Sequence, residues 1–132
     1  MAAMEQQEAV EMYLKSILRI QKAEKRPARA VEIADYLKVT KPTVSEMLGK
    51  LQDAGLVTHE SYKGVELTPK GMKKAELVLR KYDVIKSFLT DVLCIEVDDE
   101  QAHNEACKLE HDFSIESIEK LEKLLPKLTK KS

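Results

Sequence analysis

Residues 28–55 read ARAVEIADYLKVTKPTVSEMLGKLQDAG, and no other stretch constrains the fold as strongly. The pattern predicts two short helices separated by a tight polar turn, the first running through Ile33, Ala34 and Leu37. The second has Thr40 in position to cap it, Pro42 in its first turn and Gly55 placed to terminate it. Such a pair reads as a helix-turn-helix, whose second helix is shaped to enter a major groove. After Gly55 the period changes. "LVTHES" and "GVELT", joined by "YKG", predict a β-hairpin with Gly64 in the turn. A helix-turn-helix followed at once by a hairpin is a winged helix.

Upstream, Val10, Tyr13, Leu14, Ile17, Leu18 and Ile20 recur at helical spacing between about Gln7 and Ala23, while residues 1–8 are expected to fray. Met12 falls nearly opposite that stripe, with Lys15, Ser16 and Arg19, so its thioether needs a second surface to lie against. "KAEKRPA" reads as a loop. Downstream, residues 69–93, opening at "TPKG", predict a long helix that "LCIEVDDEQ" breaks. A further helix follows over about 98–111, and "SIESIEKLEKLLPKL" makes a last one capped by Ser114. The fold class is therefore mainly α, with a winged-helix domain at 1–70 and an all-helical domain at 71–132. Leu79, Val84, Ile85, Phe88 and Leu89, with Ile118 and Leu121, exceed what one small domain should cover. They are expected to meet a second copy across a twofold interface.

The chain carries 22 basic and 23 acidic residues, so net charge alone points to no polyanion partner. Its distribution is more telling: residues 94–122 hold ten acids against Lys108 and Lys120, which suits a cation site. Two cysteines, Cys94 and Cys107, are too few for a disulfide framework. With no signal peptide and no apolar run of membrane-spanning length, a reducing cytoplasm is the expected setting.

"EACKLEHDF", residues 105–113, is the stretch richest in chemistry. At about 100° per residue, Cys107, Glu110, His111 and His103 share one side of a helix, beside an apolar stripe of Ala102, Ala106, Leu109 and Phe113. Three readings of this face stand open. Cys107 is a half-buried structural residue beside a solvated Glu-His pair, or a metal ligand with Met12 as a distant further donor, or the thiol of an enzyme or redox sensor. On the second predicted helix of the winged domain, Thr40, Lys41, Pro42, Thr43, Ser45 and Glu46 are the candidate DNA-reading residues, with Lys63 at the wing tip.

In order and without apparent gaps, "EMYLKSI", "KPTVSEML", "GLVTHESYKGVELTPKG" and "HNEACKLEHDFS" resemble the diphtheria toxin repressor family of iron- and manganese-responsive repressors. The resemblance covers roughly residues 7–128. It implies a homodimer that binds a palindromic operator in double-stranded DNA when ferrous iron or manganese is bound, and so represses metal uptake genes. It also implies an activating metal site of Met12, Cys107, Glu110 and His111, joined by the Cys107 carbonyl. That set looks like the iron-responsive branch, so Fe(2+) is favoured over Mn(2+), with Zn, Co or Ni as substitutes in vitro.

This sequence departs from the family's patterns in three places. The manganese branch has carboxylates where this chain has Met12, Lys15 and Cys107. The iron branch has an ancillary site with a histidine and a glutamate where this chain has Tyr82 and Lys86, leaving His103. A second site would then draw on different residues, such as His103 with Glu105 or Glu100. The sequence also ends before the SH3-like domain of the longer members. Against the iron-activated repressor stand a manganese-responsive repressor of the same family, a metal-independent winged-helix regulator and a Cys107 thiol enzyme or redox sensor.

Overall fold

A computed structural model describes residues 2–60, 62–95 and 100–129, with side chains from Gln7 onward. Helix α1 spans Ala2–Glu24, α2 Ala30–Leu37 and α3 Lys41–Asp53. Strands β1 (Val57–Glu60) and β2 (Gly64–Leu67) pair antiparallel, with Val57 opposite Leu67 and Glu60 opposite Gly64. Helix α4 spans Pro69–Ser87 and runs into a π-helical turn at Phe88–Val92. Helices α5 (Glu100–Leu109) and α6 (Ile115–Thr129) complete the described chain. The expected class, mainly helical with a hairpin after a helix-turn-helix, is the one observed. The chain divides into two compact units, residues 1–76 and 77–132.

In the first unit α1 packs on α2 and β2, and α3 packs on α2 and β1. The predicted stripe of Tyr13, Leu14, Ile17, Leu18 and Ile20 is buried, as are Ile33, Val44, Leu48, Leu51 and Val65. The Thr40 side chain caps α3 by accepting from the Thr43 N–H, and Gly55 leaves the helix end at φ 75°. The wing gains a contact absent from its sequence pattern. Ala28 exchanges two backbone hydrogen bonds with Val65, at 3.0 and 2.7 Å. A single bridge has no period to betray it. Gly64 sits at φ 88°, and a Cβ there would lie 2.6 Å from the Ala28 carbonyl oxygen.

The second unit has its own core of Tyr82, Val84, Ile85, Leu89, Ala102, Ala106 and Ile118, with Leu79, Phe88, Cys107, Phe113 and Leu121 packed against it. Ser114 caps α6, its hydroxyl accepting from the Ser117 N–H at 3.1 Å.

Several expectations need correcting. Residues 2–8 are helical rather than frayed, because Ala, Glu, Gln and Met are strong helix formers and nothing breaks them. Lys15 and Ser16 are buried, so α1 has no continuous solvated face there. The Ser16 hydroxyl satisfies itself on the Tyr13 carbonyl at 2.7 Å. Leu109 is 37% exposed rather than part of an inward stripe. Helix α5 stops at Leu109, leaving Glu110 and His111 in the turn that follows. Val84, Ile85, Leu89 and Ile118 were expected at a dimer interface, but the chain's own second core covers them. Ser61, the stretch Glu96–Asp99 of the predicted break and start of the following helix, and the basic tail from residue 130 lie outside the described residues.

Among the glycines, the least room for a side chain is at Gly71, where a Cβ would stand 1.9 Å from the Leu56 carbonyl oxygen. Gly49 in α3, by contrast, has open space around it. Gly71→Ala should lower the unfolding free energy by about 3 kcal/mol, the upper range of overpacking costs. Gly49→Ala should raise it by about 0.5–1 kcal/mol through helix propensity. Urea denaturation followed by circular dichroism measures both.

Candidate nucleic-acid interface and metal centre

Burying Val44, Leu48 and Leu51 turns the opposite face of α3 outward. Lys41, Pro42, Thr43, Ser45 and Glu46 are all exposed there, and Lys63 is exposed on the wing. Thr40 is exposed too, but its hydroxyl is committed to starting the helix, 2.8 Å from the Thr43 hydroxyl. Lys50, not singled out from the sequence, shares this face. Its Nζ is 3.9 Å from Glu46, one turn earlier, and that spacing was the available signal. The Lys63 Nζ is 3.7 Å from Glu60. Solvated pairs of this kind contribute little, so both lysines can exchange a carboxylate for a phosphate.

Beside the wing lies a cleft of about 440 Å³ lined by Arg26, Arg29, His59, Tyr62 and Lys63, among others. It is assembled from residues 26, 27 and 29–31 and from residues 59 and 62–64, too far apart in sequence to be read as one feature. Arg26 is committed to Glu32 by two hydrogen bonds, at 2.8 and 2.6 Å. The Arg29 N–H, at the start of α2, also donates to Glu32, at 3.0 Å. The Arg26 hydrogen bonds, chiefly, hold the Glu32 carboxyl below the usual carboxylate range, with help from the Arg29 amide and against the opposing effect of burial.

In the second unit the predicted metal donors stand as two pairs. Cys107 is half-buried, its Sγ 3.6 Å from Nε2 of His103 one turn earlier. Glu110 follows the end of α5, yet its N–H still donates to the Ala106 carbonyl at 3.0 Å. Its side chain is fully buried, and Oε1 lies 3.4 Å from Nε2 of His111, whose side chain is 4% exposed. Among the described residues, no three His, Cys, Asp or Glu side chains are gathered closely enough to hold a metal ion. The donor types do fit one. Thiolate, imidazole and carboxylate suit a first-row transition metal, and two of the three are held out of water. Met12, in the first unit, is 38% exposed. The residues considered for an ancillary site have protein partners. His103 Nδ1 lies 2.6 Å from the Tyr82 hydroxyl, and Glu105 accepts from the Gln101 amide at 3.1 Å.

Residues 6–65 match the family model described as the DNA-binding domain of iron-dependent repressors. Residues 68–132 match the metal-binding and dimerisation domain of the same group. The chain is 37% identical over 124 residues to the uncharacterized HTH-type transcriptional regulator MJ0568 of Methanocaldococcus jannaschii, spanning 94% of this chain and 98% of that one. It is 34% identical over 118 residues to the diphtheria toxin repressor of Corynebacterium diphtheriae, spanning 89% of this chain and 51% of the repressor. Among solved structures it resembles the manganese regulator SloR, with a TM-score of 0.76 and 35% identity over 88% of this chain and 53% of SloR. The chain thus spans nearly all of MJ0568 but about half the length of the other two.

The Arg26–Glu32 pair gives the first unit a pH dependence of known sign. Because the folded Glu32 pKa is lowered, its contribution to stability is fully present above the unfolded value of about 4.3 and is lost as pH falls through the lower folded value. Glu32→Gln should therefore melt below the wild type at neutral pH, and the gap should narrow only below about pH 4.3. Thermal melts across the acid range test this. A gap that widens on acidification would contradict it.

Proposed function

The chain belongs to the iron-dependent repressor family, and from that premise we propose that it is a dimeric repressor activated by ferrous iron and controlling metal uptake genes. Members of this family are transcriptional repressors rather than enzymes, which removes the thiol-enzyme reading of Cys107. Among the described residues, no helix is long and apolar enough to cross a membrane.

The observation that carries the metal half of the proposal is the burial of Glu110 beside His111. A carboxylate leaves water at a cost of several kcal/mol unless charge or hydrogen bonds compensate. A carboxylate and an imidazole held dry together, within a turn of a thiol, are suited to sharing a divalent cation. The proposed donors are Cys107, Glu110 and His111, with Met12 as the sulfur donor implied by the sequence resemblance. When bound, the ion supplies positive charge and fixed coordination geometry. The protein's part is to bring the side chains to it and to hold Glu110 and His111 away from competing water. Manganese is the second reading, favoured by the likeness to a manganese regulator and by the carboxylate among the donors.

For DNA, the first turn of α3 enters the major groove of a palindromic operator. In this reading Thr43, Ser45 and Glu46, exposed on α3, meet base edges, and exposed Lys41 and Lys63 meet phosphates. Glu110→Gln and Cys107→Ala should each weaken ferrous iron binding by roughly tenfold or more. Both should require correspondingly more iron to retard DNA from upstream of the chain's own gene. Anaerobic calorimetry and gel shifts with chelator, iron and manganese read the two effects. Retardation that ignores chelator would favour a metal-independent regulator.

A second copy needs surface that the chain's own core has not used. Leu124 and Leu128, each 45% exposed, continue the apolar side of α6 beyond half-buried Leu121, and they are the residues proposed to meet the partner. A Leu124→Asp/Leu128→Asp variant should sediment as a monomer at micromolar concentration where the wild type is a dimer.

A further inference from the structure

Tyr82 lies in the core of the second unit, 2% exposed. A phenylalanine would fill that position equally well, so the hydroxyl has to answer for itself. A buried hydroxyl needs a partner. Its partner is His103, at the exposed surface of α5, with only 2.6 Å between the hydroxyl and Nδ1. The two rings meet edge to face, centroids 5.6 Å apart and planes at 71°. Lys86 Nζ stands 5.7 Å from the Tyr82 ring centroid. The other nitrogen of the imidazole, Nε2, lies 3.6 Å from Sγ of Cys107. One imidazole thus links a core tyrosine to a proposed metal ligand.

We infer that Tyr82 is a positioning residue for Cys107, acting through His103; this rests on the reading of Cys107 as a metal ligand. An exposed histidine on a helix ordinarily turns among several rotamers. A coordinating thiolate can only accept, so this reading assigns the ring proton to Nε2, directed at the sulfur, and makes Nδ1 the acceptor of the Tyr82 hydroxyl. The imidazole is then fixed in orientation and tautomer together, and it holds the Sγ in one rotamer as an N–H donor to the thiolate. Histidine serves here as a support for a ligand, and neither ring nitrogen is left over for a metal of its own. Hydrogen-bond partners that orient a ligand commonly change metal affinity by roughly ten- to a hundredfold.

The test uses the full chain in a Cys94→Ser background, so that Cys107 is the only thiol, with cobalt(II) as the probe. In wild type without metal, nitrogen NMR of the imidazole should show a single His103 tautomer protonated at Nε2. Tyr82→Phe should give a mixture. With cobalt bound, the thiolate-to-metal charge-transfer band should shift in both Tyr82→Phe and His103→Ala. Cobalt affinity should fall about tenfold in His103→Ala. Tyr82→Phe should lower it by a smaller factor and add nothing further once His103 is alanine. An unshifted band in Tyr82→Phe, or an equal loss with and without His103, overturns the inference while leaving Cys107 as a ligand. A band that is missing in wild type, or that persists in Cys107→Ser, overturns the ligand reading and the inference with it. Should Tyr82→Phe fail to fold, His103→Ala decides, because that residue is exposed: an unchanged band and affinity there also overturn the inference.

Discussion

Three consecutive carbonyl groups, those of Ala54, Gly55 and Leu56, hold the first unit together where α3 ends. The Ala54 oxygen accepts from Lys70 Nζ at 3.1 Å, and the Gly55 oxygen from the Thr68 hydroxyl at 2.7 Å. The Leu56 oxygen accepts from the Thr68 N–H at 3.0 Å. Thr68 turns the same hydroxyl to the Gly71 N–H at 3.0 Å and so caps α4. Only a residue without a Cβ can stand at position 71 with the Leu56 carbonyl so near. The end of α3, the start of the wing and the first turn of α4 are therefore one hydrogen-bonded junction, and none can shift without breaking the others.

That junction explains how a short helix could serve as the rigid reading head proposed for it. Helix α3 is held at its N-terminus by the Thr40 cap and at its C-terminus by the carbonyl cluster, with Val44, Leu48 and Leu51 buried between. What remains outward is polar and only weakly charged. Glu46 and Glu60 sit against Lys50 and Lys63, so a single copy offers little net attraction to phosphate. Affinity must then come from the number of contacts and from two heads held at a fixed spacing, which is what a dimer provides.

Much of this was legible in sequence, for local reasons. Thr40 and Ser114 announce their helices because a hydroxyl beside the first turn satisfies amides that lack partners. Gly55 and Gly64 mark chain reversals because both take positive φ. The hairpin was readable from its alternation. Features made by distant residues were not legible. The Ala28–Val65 bridge joins a loop to a strand across nearly forty residues, and the cleft beside it is built the same way. Helical periodicity also assigned too much of α4 to a partner. It reports that Val84, Ile85 and Leu89 are apolar on one side, but not that Ala102, Ala106 and Ile118 of the same chain lie there. Tyr82 and His103 were associated in sequence only through the resemblance, at the positions of the family's ancillary site, since a hydrogen bond between two helices has no period.

The donors at the end of α5 show how a small departure from the helical expectation matters. On a continued helix, Glu110 and His111 would lie on a solvated strip beside Cys107. Instead the helix closes at Leu109, whose carbonyl accepts from the N–H groups of both Asp112 and Phe113, at 3.0 and 3.1 Å. Phe113 packs on the core, and Lys81 of α4 reaches its carbonyl at 2.8 Å. Ser114 then begins α6. The turn from 110 to 114 is thus tied on both sides, to α5 through the Leu109 carbonyl and to α4 through Lys81. Two ionisable groups, Glu110 and His111, lie buried in this turn. For the proposed metal site, a turn already tied to α4 and α5 would leave little binding energy to be spent on ordering it. In that proposal, the strength and identity of the bound ion are left to the donor atoms.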